Sequence, residues 1–148
     1  MNVVRETMQM ELIPGERIGP FVFGQPVPRI ARDLLELEHD ELDPVLKHKR
    51  YALKLPLQGE YMIYVHDDER VENVDCHEKC FVGTTNLIGK PLPFIEEFLG
   101  AAAEFSETLE MVDGPQDVYN IDALGLQLWF ELGQLVTAQC SARDYEAR

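Results

Sequence analysis

The chain has 148 residues, a formal net charge of −14, 45% apolar residues and 27% charged residues. The apolar content excludes an intrinsically disordered chain, and the length fits one domain of ordinary size. No apolar run approaches the roughly 20 residues of a membrane helix, and the acidity disfavours binding to nucleic acids and to anionic membranes. The amino terminus also lacks the basic and apolar stretches of a secretory signal, so we expect a cytoplasmic protein.

Acidic residues are concentrated in the second part of the chain. Residues 1–64 hold 8 basic and 10 acidic residues, whereas residues 65–148 hold 5 basic and 17 acidic residues. A well-solvated surface is the common meaning of such a charge. The alternative is a surface that meets a basic partner, which would associate fast and in a salt-sensitive way.

The first predicted element is an edge strand within residues 11–18. Residues 23–30 then resemble residues 88–95, an internal repeat at an offset of 65. Each copy opens with glycine and prolines and continues with apolar residues at helical spacing, which predicts one amphipathic helix of about three turns. The repeated residues are Gly24, Pro26, Pro28 and Ile30 in the first copy and Gly89, Pro91, Pro93 and Ile95 in the second. The helical apolar positions are Val27, Ile30, Ala31, Leu34 and Leu37, then Leu92, Ile95, Leu99 and Ala102.

Strand patterns follow each predicted helix. Apolar and polar residues alternate with period 2 in three segments of each half, and turn residues separate the segments, which is typical of an antiparallel meander with one buried face. The polar segments 36–47 and 104–115 are interpreted as links between each helix and its first strand, and either link could carry a short second helix. The predicted strands lie in residues 51–55, 61–66 and 71–76, and in residues 119–122, 126–131 and 134–140.

These elements predict an α+β fold: two tandem helix-plus-antiparallel-sheet repeats with the helices on one face of the sheet. Residues 1–148 would form a single domain, and its two repeats would span about residues 18–80 and 83–140.

The tandem layout, with Phe23-Gly24 and Ile88-Gly89 at the two openings, resembles the beta-lactamase inhibitor protein family. The single unit is similar to the small lipoproteins of the outer-membrane assembly machinery. Small acidic cytoplasmic bacterial proteins of this kind are also similar to immunity proteins, which neutralise a toxin domain. The resemblance implies a concave sheet surface that grips another protein.

Three cysteines, Cys76, Cys80 and Cys140, are an odd number, and we expect free thiols with no bound metal. Cys76 and Cys80 lack the spacing of a paired zinc motif, although His66 could join them if the fold brought it near. The segment His66–Glu69 could hold a cation or do acid–base work, but its side chains also suit a hairpin turn, which we favour. Phosphate-loop, dinucleotide and serine-hydrolase motifs are absent, so we expect neither an enzyme nor a cofactor.

The sheet face turned away from the helices carries the candidate binding residues. If Tyr61, Ile63 and Val65 face the helices, the residues between them face the opposite way. Tyr64 and Trp129 are then equivalent aromatics on that face, and such residues are enriched at binding hot spots. A terminal segment or a second copy of the chain could cover the face instead. The candidate partner-binding residues are Met62, Tyr64, His66, Asp122, Gln127, Trp129 and Glu131.

The sequence therefore predicts a protein-binding inhibitor or immunity-like protein that occludes a basic protein partner, such as a toxin or an enzyme, through a sheet surface. One alternative is a small enzyme or metal-binding domain that uses His66, Asp67, Asp68, Cys76 and Cys80. The other is a structural homodimer.

Overall fold

Antiparallel strands make up most of the protein. The computed structural model describes residues 9–39, 48–55, 59–66 and 68–143. Strands account for 57% of it, and only 12%, with two α-helices, is helical. The predicted α+β fold of two helix-plus-sheet repeats is therefore wrong, because a single large sheet dominates the structure.

Two helices divide the strands of the described chain into three groups. Three short strands come first: β1 (Leu12–Ile13), β2 (Arg17–Ile18) and β3 (Phe21–Val22). Helix α1 (Arg29–Arg32) precedes β4 (Glu36–His39), β5 (His48–Leu55), β6 (Gly59–His66) and β7 (Val71–Cys76). A short hairpin, β8 (Phe81–Val82) and β9 (Thr85–Asn86), leads to helix α2 (Leu92–Leu99). The chain ends with β10 (Glu104–Met111), β11 (Gly114–Ile121), a 3-10 turn (Asp122–Leu124), β12 (Leu126–Glu131) and β13 (Gln134–Ser141).

Eight strands form the large sheet in the order β10-β11-β12-β13-β7-β6-β5-β4. Each half of the chain contributes a four-stranded antiparallel meander, and the last strands of the two meanders, β7 and β13, pair along one seam. Strands β1 to β3 form a separate sheet, and β8 pairs with β9. The segment predicted as one edge strand is therefore the β1–β2 hairpin, because the chain reverses direction at Pro14-Gly15.

The first predicted helix is much shorter than expected. Helix α1 has four residues, and Leu37, predicted on its apolar face, lies in β4 opposite Tyr51. A four-residue helix adds little stability, because helix nucleation is costly. Strand β4 is instead stabilised by its ladder hydrogen bonds with β5. Helix α2 has eight residues and ends at Gly100, whose φ of 68° is left-handed, so Ala102 lies beyond it.

The two segments predicted as polar links contain the edge strands of the large sheet. Strand β10 is exposed at nearly every position, and β4 forms the opposite edge. An edge strand can carry charged residues on both faces, and these protect it against pairing with other chains. Apolar alternation is therefore weak in both strands, and residues 40–47 lie outside the described part of the chain.

The core lies between one face of the large sheet and the elements packed on it. Helices α1 and α2 contribute Ala31 and Ile95, and β2 and β3 contribute Ile18 and Phe21. No helix in the described ranges is long and apolar enough to cross a membrane.

Candidate functional site

Strands β6 and β12 alternate strictly between buried and half-buried residues. Tyr61, Ile63 and Val65 are fully buried in the core. Because neighbouring residues of a strand point to opposite faces, the residues between them face away from the helices. The predicted alternation is confirmed for both strands, and Met62, Tyr64, His66, Gln127, Trp129 and Glu131 are half-buried.

The face away from the core, which we call the open face, is defined by the strand register. Directly paired residues share a face, so each row of pairs crosses the sheet on one side. The central row of the open face runs through Glu104, Asn120, Gln127, Gln139, Asp75, Met62, Ala52 and Glu36. This row is acidic at both ends and rich in amides and carboxylates in the middle.

Tyr64 belongs to a hydrogen-bonded network on the open face. Its hydroxyl donates to the Asp75 carboxylate and accepts from Arg50. Asn73 Nδ2 donates to Asp75 Oδ1 at 3.3 Å. Burial raises the pKa of Asp75 to about 6, against the opposing effects of these hydrogen bonds and of the Arg50 charge. Burial also raises the pKa of Tyr64, so the phenol stays a neutral donor.

Trp129 is held by a second network on the same face. Its indole Nε1 donates to Gln127 Oε1 at 3.1 Å, and Gln127 Nε2 donates to Asn120 Oδ1 at 3.2 Å. Trp129 pairs with Val118 on one side and Thr137 on the other. The ring is therefore oriented before any partner arrives.

Tyr64 and Trp129 occupy two separate positions on the open face. Strand β6 lies three strand spacings from β12, or about 14 Å. Their rows are offset by four residues along the strands, or about 13 Å. On this sheet geometry, the strand positions of the two residues are therefore about 19 Å apart, with the amide and carboxylate residues between them.

The remaining predicted partner-binding residues lie around this area. Glu131 Oε2 accepts a hydrogen bond from Gln116 Nε2 at 3.3 Å. Asp122 is exposed in the 3-10 turn. His66 forms an ion-pair contact through Nε2 with the buried Glu72.

The second meander gives the open face a strongly acidic side. Strands β10 to β13 contain five carboxylates and no lysine or arginine, and three of the five, those of Glu104, Glu107 and Glu131, lie on the open face. Glu104 and Glu107 pair with Asn120 and Val118, which places both carboxylates on the open face beside the Trp129 network. A basic surface would therefore be attracted to this side.

A small polar pocket opens on this face, with a volume of about 60 Å³. It has room for a few water molecules and is far below the roughly 300 Å³ of a small ligand pocket. The pocket suits an inserted side chain better than a metabolite. Its lining residues are Asn73, Asn120, Asp122, Gly125, Leu126, Gln127, Gln139 and Ser141.

In the alternative constellation, His66 and Asp68 do not lie near Cys76 and Cys80. Cys76 pairs across the strands with Tyr61, five residues from His66 along β6, which corresponds to about 17 Å. Asp68 is exposed and contacts Arg70 through its carboxylate, as expected for a turn. Asp67 lies outside the described residues.

Sequence analysis missed a cluster of three cysteines. Cys76, Cys80 and Cys140 are fully buried, and their Sγ atoms lie within 4.8 Å of one another. Cys76 pairs with Ala138 and Cys140 pairs with Val74, so both thiols point into the core from neighbouring strands. Cys76 and Cys140 each end the third predicted strand of their half, and this shared position was the available signal, but only the pairing of β7 with β13 brings them together.

Asn86 fixes the position of Cys80. Its Oδ1 accepts hydrogen bonds from the backbone N–H of Cys80 at 2.8 Å and of Ile88 at 3.1 Å. The backbone N–H of Leu87 donates to the carbonyl of Cys80 at 2.8 Å. The third thiol is thus held by a loop and not by the large sheet.

The pKa values of the three thiols shift in different directions. Hydrogen bonds from Cys140 and Cys76 lower the pKa of Cys80. The hydrogen bonds with Cys140 and Cys80, together with burial, raise the pKa of Cys76. The pKa of Cys140 is also raised: the hydrogen bond from Cys76 lowers it, but the one to Cys80 and burial outweigh this.

Comparison with protein-family models, with curated proteins and with solved structures finds no match to this chain. The resemblance to the beta-lactamase inhibitor protein family and to immunity proteins therefore stays a prediction.

Proposed function

We propose that the protein is a binding protein of the inhibitor or immunity type, which occludes a basic protein partner with the open face of its large sheet. The observation that carries this proposal is the pair of oriented aromatic residues, Tyr64 and Trp129, on the face opposite the helices. Aromatic residues held in place before binding lose little conformational entropy when a partner arrives, which is typical of binding hot spots.

The size of the open face fits one protein partner. A standard interface covers about 800 Å² on each side, a patch about 30 Å across. Tyr64 and Trp129, about 19 Å apart on the sheet geometry, both fall within such a patch. Asp75 and the surrounding amides lie between them and would form the polar centre of the interface.

The acidic second meander supports a basic partner. Glu104, Glu107 and Glu131 lie on or beside the Trp129 side of the open face. Their charge would steer a basic surface toward the sheet and repel acidic proteins.

A binding role without catalysis fits the chemistry of the described residues. Ser141 Oγ donates to the backbone carbonyl of Gly125 and not to a histidine. We place this activity in the cytoplasm, where three free cysteines would stay reduced.

The test is capture from an extract of the native cells with three immobilised proteins. They are the natural chain, the variant Tyr64→Ala/Trp129→Ala, and the control Phe94→Ala/Phe98→Ala. Phe94 and Phe98 stack on each other and are 38% and 42% exposed on helix α2, so the control removes two exposed rings from the other side of the molecule. We expect one stoichiometric basic protein on the natural chain and on the control, and its loss from the open-face variant.

The affinity of the recovered partner then measures the contribution of one ring. Trp129→Ala should cost about 2 kcal/mol or more of binding free energy, at least about 30-fold in Kd, while thermal unfolding stays cooperative. Equal capture by all three proteins would place the interface elsewhere, and self-association alone would favour the homodimer. If Trp129→Ala unfolds the protein and its folded fraction binds normally, Trp129 is a core residue.

A further inference from the structure

We propose that Cys76, Cys80 and Cys140 form a binding site for a soft, thiophilic metal ion, with three sulfur ligands and Cu(I) as the preferred ion. The inference is independent of the open face, because Cys76 and Cys140 point into the core on the other side of the sheet.

The geometry brings the three sulfur atoms close enough to share one ion. With metal–sulfur bonds of about 2.3 Å, three ligands around a trigonal ion lie about 4 Å apart. The observed separations are within 4.8 Å. Side-chain rotations that move each sulfur by less than an ångström would therefore bring all three atoms to bonding distance of one ion. Three thiols at this distance are a ligand set and not isolated core residues.

The number and burial of the ligands favour Cu(I) over zinc. Structural zinc sites use four ligands, and catalytic zinc sites keep a fourth position open to water. All three cysteines here are fully buried, and the metal-ligand group found in the described residues consists of these three side chains alone. Thiolates select soft ions such as Cu(I), and Cu(I) is stable with three sulfur ligands.

Tyr61 carries a phenol oxygen that could change this assignment. Its side chain is fully buried. Tyr61 also pairs directly with Cys76 across the strands. If the phenol were a ligand, the site would have a sulfur and oxygen ligand set suited to a harder ion.

The site would join the two halves of the chain. Cys76 and Cys80 belong to the first half, and Cys140 belongs to the second. Each thiol that forms a metal–sulfur bond releases its proton to solvent, and copper remains Cu(I) throughout. Since the ligands converge only in the folded chain, binding should stabilise the folded state.

The test is titration of the reduced full-length protein with Cu(I) under anaerobic conditions, against a chromophoric Cu(I) chelator, with Zn(II) titrated in parallel. To reach a buried site, the protein is also refolded in the presence of each ion. We expect one equivalent of Cu(I), a thiolate-to-copper absorption band in the ultraviolet, a higher Tm, and three sulfur neighbours by X-ray absorption.

Three single variants and one control decide the assignment. Cys76→Ala, Cys80→Ala and Cys140→Ala should each lower the affinity for Cu(I) at least about 100-fold, more than the loss of a supporting residue around a metal. Circular dichroism checks that each variant folds, and Tyr61→Phe should bind as the natural chain does.

Several results would overturn the proposal. They are failure of the natural chain to compete with the chelator, unchanged binding in any folded cysteine variant, loss of binding in folded Tyr61→Phe, and tighter binding of Zn(II) than of Cu(I).

Discussion

Asp75 illustrates how a single residue on the open face affects stability. Its carboxylate lies between Asn73 and Tyr64, at the row where the two meanders meet. Burial raises its pKa from 3.8 to about 6, so the native state binds a proton more tightly than the unfolded chain does. Stability should therefore fall as the pH rises from about 4 to about 6, and ionised Asp75 lowers the free energy of unfolding by up to about 3 kcal/mol.

The variant Asp75→Asn should remove this effect while keeping a polar side chain of the same shape. We expect a higher free energy of unfolding than in the natural chain above pH 6, and a difference close to zero below pH 4. Urea denaturation across this range measures it. A difference that does not change with pH would show that Asp75 titrates normally in the folded protein.

Glycine turns connect the strands of the second meander, and Gly125 is the most constrained of them. It follows the 3-10 turn with a φ of 65°, and a Cβ atom there would lie 2.2 Å from the carbonyl oxygen of Ser141. Gly133, in the β12–β13 turn, has a φ of 80° but nothing within 4 Å of the same position. Substitutions at these two glycines therefore distinguish the cost of backbone strain from the cost of a steric clash.

Gly125→Ala should destabilise the protein by about 3 kcal/mol or more, because strain and clash add. Gly133→Ala should cost only the left-handed strain, about 1 kcal/mol. Denaturant midpoints of the two variants measure the difference. Equal costs would show that β12 and β13 move apart freely at Gly125.

The sequence predicted some elements well, and the physical reason is burial. Strands β6 and β12 have one face in the core and one face outside, so their alternation is strong. Edge strands β4 and β10 lack this constraint and were interpreted as links. The predicted length of helix α1 is too great, because apolar residues from Val27 to Leu37 show helical spacing. Leu37 in fact pairs with β5 and belongs to a strand.

The cysteine cluster and the acidic side of the open face depend on strand pairing that local alternation does not predict. Local patterns placed Cys76 and Cys140 at equivalent positions, but no local pattern predicts that β7 and β13 are neighbours. Glu104 and Glu107 reach the same face because a bulge between Phe105 and Glu107 interrupts the alternation of β10. Sequence reasoning from one chain supplies neither the pairing of β7 with β13, which depends on contacts far apart in the sequence, nor the position of such a bulge.

Across the whole molecule, the negative charge is distributed unevenly along the chain, whereas each half of the chain contributes four strands to the large sheet. The net charge of −14 comes mostly from the part of the chain after residue 64, and β10 to β13 hold no basic residue. If the open face binds a basic partner, this asymmetry should control the rate of association more than the lifetime of the complex.

Asp122→Asn/Glu131→Gln should therefore slow association with the partner several-fold at low salt and flatten its salt dependence, with a smaller change in dissociation. Glu97→Gln/Glu110→Gln changes the same number of charges away from the open face and is the control. Stopped-flow kinetics at several salt concentrations measures both variants. Equal slowing would mean that net charge alone, and not the open face, steers the partner.

The most direct test of the binding surface is hydroxyl-radical footprinting of the protein with and without its partner. Met62, Tyr64 and Trp129 react readily with radicals and lie on the open face, whereas Phe94 and Phe98 report on helix α2. We predict that the partner protects the three open-face residues and leaves the two phenylalanines as reactive as before. Protection of Phe94 and Phe98, with the open-face residues unchanged, would contradict the account.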